Sequence, residues 1–197
     1  MSQFIESICV IDGKIRNLGF HQERMNRTRY KMLGILDEIK LEKLMRSHPI
    51  PSTGKFKCRI IYDEKVDLIE FVSYQIKPIY SIKLIEHNEI EYPHKFLDRK
   101  PFEFLSDSVS EDEILIVKNG KITDTSYSNI VFFDGQNWIT PQTFLLNGTM
   151  RQFLLESNQI IENEIGINDL DKFKSFKLIN AMMNLEESPE REMTMIR

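Results

Sequence analysis

Three of the chain's four Asn-Gly or Asp-Gly dipeptides follow a run rich in β-branched or aromatic residues. Asp12-Gly13 follows FIESICVI, Asn119-Gly120 follows ILIVK, and Asp134-Gly135 follows NIVFF. Asn-Gly and Asp-Gly tolerate the positive φ values that two-residue hairpins require, so each predicts a strand that folds back on its neighbour. FKCRIIY (56–62) and LIEFVSYQI (68–76), separated by a polar stretch, predict another hairpin. SIKLIEH (81–87) reads as a further strand, and WIT (138–140) leads into Pro141.

Between these strands the spacing turns helical. Over 21–36, Met25, Met32, Leu33 and Leu36 can share one face, with Glu23, Arg24, Arg27, Arg29 and Lys31 polar. Residues 41–46 suggest a short helix, broken by Pro49, Pro51 and Gly54. Residues 95–105 read as a helix interrupted by Pro101, and MRQFLLES (150–157) as an amphipathic helix. Strand pairs mixed with separate helices predict an α+β fold rather than a regularly wound parallel sheet. The break at Pro78 predicts two small α/β domains, residues 1–78 and 79–197.

Composition narrows the function classes. A hydrophobic content of 41% against 28% charged residues supports a packed core in 197 residues. A net charge of −4 argues against coating nucleic acid by bulk electrostatics. No apolar run approaches the ~18 residues of a membrane helix, and the start MSQFIES lacks the pattern of a signal peptide. The expectation is a soluble cytoplasmic protein with neither nucleic-acid nor membrane partner. Cys9 and Cys58 lie in apolar stretches and read as small buried thiols. His21, His48, His87 and His94 make no metal pattern with them, so no metal is expected.

Four places could carry chemistry. Lys95, in YPHKFLDRK, has apolar neighbours that disfavour an ammonium and favour a nucleophilic amine; a solvated lysine beside Asp98 and Arg99 is the alternative. Asp124, among Thr123, Thr125, Ser126, Ser128 and Asn129, could face a cation or simply shape a polar loop. Residues 146–151 open a helix whose N–H groups could hold phosphate, or be capped by Asn147 or Thr149. Arg24 and Arg27 could grip an anion or lie at the surface.

Five segments, in order, resemble the class IV aminotransferase family, the fold-type IV pyridoxal-phosphate enzymes. FIES followed by HQERM (21–25) resembles the family's FET…H…R run, and HKFLDR (94–99) its lysine motif in the lyase form K-x-x-N/D-R. TDTSYSN (123–129) is similar to E-x-x-x-x-N, and Thr140-Pro141 with LLNGTMR (145–151) to TP…L-x-G-I/T/V-x-R. NAMM (180–183) resembles the NA-x-M segment of the lyases.

The resemblance implies a homodimer that binds pyridoxal 5'-phosphate and a small amino-carboxylic acid. It implies Lys95 as the covalent cofactor lysine and Cα proton shuttle, Asp124 as the carboxylate facing the ring nitrogen, and Arg24 on the phosphate. Gly148-Thr149 and Asn180-Ala181 match the backbone segments around that phosphate, and Asn129 completes the Asp124 segment. The most specific reading is a lyase that converts 4-amino-4-deoxychorismate to 4-aminobenzoate and pyruvate, a step of folate synthesis. Transamination of a branched-chain or D-amino acid is the alternative, and a catalytically silent binding module the third reading. Three departures stand out. Asp124 replaces the usual Glu, the lead-in before the FET match is absent as though the fold were N-terminally shortened, and the loop after Ile61 is short. Lys57, Arg59 and Tyr62 are the local substitutes for a substrate loop there.

Overall fold

The computed structural model describes residues 2–197, which divide into two compact units. The first is the chain up to Ile76 together with His94–Asp98; the second is Lys77–Pro93 with Arg99–Arg197. A single linear boundary near residue 78 therefore misses one feature. The five residues around Lys95 return to the first unit by backbone pairing, which composition does not reveal.

In the first unit, β1 (Phe4–Ile11) turns into the short β2 (Lys14–Ile15), followed by α1 (Leu18–Leu33) and α2 (Leu41–Arg46). The hairpin β3 (Lys55–Tyr62) and β4 (Val66–Ser73) completes an antiparallel sheet of order β2-β1-β3-β4. The β1–β3 register runs from Phe4 opposite Tyr62 to Ile11 opposite Lys55. Period-2 alternation then puts Phe4, Ile8 and Val10 on one face with Cys58, Ile60 and Tyr62. These form a core with Met25, Leu41 and Met45. Cys9 and Cys58 are buried thiols and not joined in a disulfide.

Strand β2 pairs only with Val10 and Ile11, which leaves that edge of β1 open toward its start. Residues 95–97 close it. Phe96 bridges Phe4, the Ile5 N–H donates to the Lys95 carbonyl at 2.9 Å, and the Leu97 N–H to the Gln3 carbonyl at 2.9 Å.

Helix α1 differs from its sequence pattern. It starts at Leu18, and its buried residues are His21, Arg24, Met25, Thr28 and Arg29. Met32 and Leu36, expected on the apolar face, are 43% and 79% exposed. The helix ends at Leu33 because Gly34 adopts φ 70°, and the Gly34 N–H caps the Tyr30 carbonyl at 3.0 Å.

In the second unit, β5 (Ile82–Glu86) runs parallel to β6 (Glu113–Lys118). Strand β6 turns at Asn119-Gly120, both at positive φ, into antiparallel β7 (Lys121–Thr125). Helix α3 (Lys100–Asp107) lies between β5 and β6 in sequence. Pro101 stands in its first turn, where a missing N–H costs nothing, so it starts a helix rather than interrupting one over 95–105.

A second sheet has the order β10-β9-β8-β11-β12, built from β8 (Asn129–Phe133), β9 (Trp138–Pro141), β10 (Ile161–Asn163), β11 (Ser175–Ile179) and β12 (Arg191–Glu192). Helix α4 (Thr149–Glu156) contributes Met150 and Leu154 to a core with Val131, Ile160 and Ile179. The fold is α+β, as the strand and helix pattern predicts. Among the described residues no helix is long and apolar enough to cross a membrane.

Candidate active site

The first unit brings Lys95 and Arg24 to one strand. Strand β1 holds the Lys95 backbone through Ile5, and its next residue, Glu6, points into the core face and meets α1. Arg24 donates from Nε to Glu6 Oε1 at 2.8 Å and from Nη2 to Glu6 Oε2 at 2.6 Å. His21 Nδ1 lies 2.6 Å from Glu6 Oε2. A carboxylate only accepts, so the proton of that bond sits on the imidazole.

All three side chains are buried. Burial alone would raise the Glu6 pKa, but the Arg24 charge, its hydrogen bonds and His21 bring it down to about 2. Burial holds His21 below its usual value; Glu6 opposes this, while Arg24 and Lys95 add to it. Lys95 is itself half-buried. Its neighbour His94 meets Thr28 Oγ1 at 3.3 Å and packs edge-on against Phe4 and Phe96.

The remaining candidates lie in the second unit. Asp124 is in β7 rather than in a loop, and it is buried. Its Oδ1 accepts from Asn129 Nδ2 at 2.7 Å, and its Oδ2 from the N–H groups of Leu145 at 2.9 Å and Leu146 at 2.8 Å. Burial raises its pKa to about 6, against the pull of those three bonds and of Arg151. Asn129 also donates to the Leu146 carbonyl at 2.9 Å. One carboxylate and one amide thus hold the loop that enters α4.

Gly148, rather than Asn147 or Thr149, occupies the N-cap position of α4, in an extended conformation. A Cβ on Gly148 would come within 2.1 Å of Asn129 Oδ1, a distance real Cβ atoms do not show. Arg151, buried behind the loop, binds the Pro141 carbonyl at 3.0 Å and pairs with Glu162. Asn180 and Ala181 follow β11. Asn180 Nδ2 donates to Ser128 Oγ at 2.8 Å, and its Oδ1 accepts from the Met182 N–H at 2.8 Å. Arg99, in the second unit, donates to the Ser126 carbonyl.

The substitutes for a substrate loop separate. Tyr62 is fully buried beside Phe4. Arg59 pairs with Glu70, and half-buried Lys57 lies over the Tyr74 ring. Burial, and then the Arg59 charge, lower the Lys57 pKa, with Glu70 opposing. Glu6 and His21 were not among the sequence candidates. The signal for Glu6 was present, since it alternates in phase with Phe4, Ile8 and Val10 and so puts a carboxylate at a core position.

A family model for amino-transferase class IV matches residues 79–186, more than half of the chain. The chain belongs to that family. It is 35% identical, over 94% of its own length and all of the other's, to an uncharacterized protein of Haemophilus influenzae. The crystal structure of "a putative 4-amino-4-deoxychorismate lyase" from Haemophilus somnus superposes with a TM-score of 0.88 at 33% identity, covering 94% of this chain and 98% of that one. The PLP-bound form of a hypothetical aminotransferase from Mycobacterium tuberculosis shares the fold, with a TM-score of 0.75 at 14% identity, over 96% of this chain and 80% of that one.

Proposed function

We propose that this protein binds pyridoxal 5'-phosphate and releases 4-aminobenzoate and pyruvate from 4-amino-4-deoxychorismate. The observation that carries the reading is the 33% identity, over nearly the full length of both chains, to the Haemophilus somnus protein of that description.

The donor set suits the cofactor. The first unit offers a half-buried amine and a guanidinium fixed by a carboxylate, and the second a helix start at a glycine and a buried carboxylate for a basic ring nitrogen. Bound pyridoxal phosphate supplies an electron sink for the pair left at Cα when a proton departs.

The chain's own residues do the rest. Lys95 Nζ would hold the cofactor and then take the Cα proton; as the C–O bond to the enolpyruvyl group breaks and the ring becomes aromatic, that proton is passed to the leaving enolpyruvate, which departs as pyruvate. Arg24 and the start of α4, at Gly148 and Thr149, bind the phosphate dianion by charge and N–H donation. Asn180 and Ala181 lend backbone to the same group. Asp124 keeps a proton on the ring nitrogen. A carboxylate has about four acceptor positions, and three bonds leave Oδ1 room for one more. Asn129 fixes the plane of that carboxylate.

The test is a paired assay on purified protein. Release of 4-aminobenzoate without a keto acid is the expected result. Keto-acid-dependent amino transfer with no 4-aminobenzoate would replace the lyase with an aminotransferase. Neither activity, with no bound cofactor, would make the chain a binding module.

A further inference from the structure

We propose that Glu6 is a positioning residue, which fixes the Arg24 guanidinium for phosphate and so sets the cofactor beside Lys95. The inference rests on the pyridoxal-phosphate reading.

An arginine has five N–H donors on a flexible stem, and an anion binds best when that fork is already oriented. Glu6 takes two donors of Arg24, from Nε and Nη2, in the fork geometry that allows one guanidinium plane. His21 bonds the same Oε2, so the carboxylate is fixed from two sides. The isolated alternative is poor, because a buried Glu6 without Arg24 would leave an uncompensated charge.

The strand then links this cluster to the lysine. Glu6 follows Ile5, whose N–H holds the Lys95 carbonyl at 2.9 Å. A shift of β1 at Glu6 would disturb both the carboxylate that holds the Arg24 side chain and the strand that holds the Lys95 backbone. Glu6 is fully buried and does not contact solvent. It therefore acts through Arg24 and not on the substrate.

Phosphate dependence separates this role from a general structural one. Dissociation constants would be measured for pyridoxal phosphate and for pyridoxal, which lacks the phosphate, on folded wild type, Glu6→Gln and Glu6→Asp. Losing one charge-assisted contact corresponds to roughly tenfold or more. Glu6→Gln should therefore cut the preference for the phosphorylated aldehyde by about tenfold, with pyridoxal affinity little changed. Glu6→Asp should fall between. An unchanged preference in a folded variant, or an equal loss for both aldehydes, overturns the proposal.

If the single variants do not fold, Arg24→Met and the apolar pair Glu6→Met with Arg24→Met replace them. The pair should show the same preference as Arg24→Met alone, and a further fall overturns the proposal. A wild type that binds both aldehydes equally removes Arg24 from the phosphate and the functional reading with it. A wild-type preference kept by the Glu6 variants removes Glu6 alone.

Discussion

Arg24 and Glu6 meet as a fork, Nε at 2.8 Å from Oε1 and Nη2 at 2.6 Å from Oε2, inside the first unit. Burial would raise the Glu6 pKa, yet Arg24 and His21 hold it at about 2 against an ordinary 4.5. A folded value below the unfolded one stabilises the protein above pH 4.5 and loses that stability as pH falls toward 2. The contribution is about 3 kcal/mol. Glu6→Gln should therefore be less stable than wild type at pH 7 by about that much in urea unfolding. The gap should close as pH is lowered from 4.5 toward 2. A gap that stays constant over that range would mean the carboxylate charge contributes nothing.

Asp124 runs the other way. Burial raises its pKa from 3.8 to about 6, more than three hydrogen bonds lower it. The native state then holds the proton more tightly than the unfolded one. Stability from this group is complete below pH 3.8 and is lost as pH rises through 6. The apoprotein should lose about 3 kcal/mol over that interval relative to Asp124→Asn, which does not titrate. Parallel pH profiles would contradict it. In the loaded enzyme, loss of the ring-nitrogen partner should lower turnover of Asp124→Asn roughly a hundredfold, since each ~1.4 kcal/mol is tenfold. Asp124→Glu should also be impaired, because the Asn129, Leu145 and Leu146 donors are already spaced for the shorter side chain.

Much of this fold was legible because its signals are local. Asn119-Gly120 demanded a hairpin, and β6 and β7 form one. The 41–46 helix appears over the same residues. What was not legible depends on partners distant in sequence. Arg24 reads as a surface charge on a polar stripe, whereas it is buried and bonded to Glu6, eighteen positions earlier. Asp124 reads as a turn residue because its neighbours are small and polar, whereas its partners come from 145–146. Strand β10, with all three residues exposed, has no apolar alternation to announce it and exists by pairing with β9. The candidate site residues rest on the order of the family segments, since no single residue type distinguishes Lys95 from its neighbours.

Gly148→Ala tests the entry to α4. The new Cβ would lie 2.1 Å from Asn129 Oδ1, so either the loop or the Asn129–Asp124 bond must move. A cost of about 1–3 kcal/mol in stability is expected, with weaker pyridoxal-phosphate binding. Adding Asn129→Ala should recover part of the loss due to the methyl group. Equal costs in both backgrounds would mean that the contact is relieved elsewhere.

Arg24→Ala should weaken cofactor affinity far more than Arg27→Ala. The two arginines lie on one helix, but Arg24 is 5% exposed and held by Glu6, while Arg27 faces solvent. A charge-assisted bond to an anion is worth ~1.5–3 kcal/mol, an exposed helix charge much less. Spectroscopic titration of both variants with pyridoxal phosphate measures the difference, and equal dissociation constants would remove Arg24 from the site.

The most direct measurement is covalent. Purified protein is mixed with pyridoxal phosphate, reduced with borohydride and digested, and the labelled peptide is mapped. The label is expected on Lys95, whose backbone β1 fixes at Ile5, and Lys95→Ala should take up none at that site. A label on Lys100, or wild-type protein left unlabelled at saturating cofactor, would contradict the account.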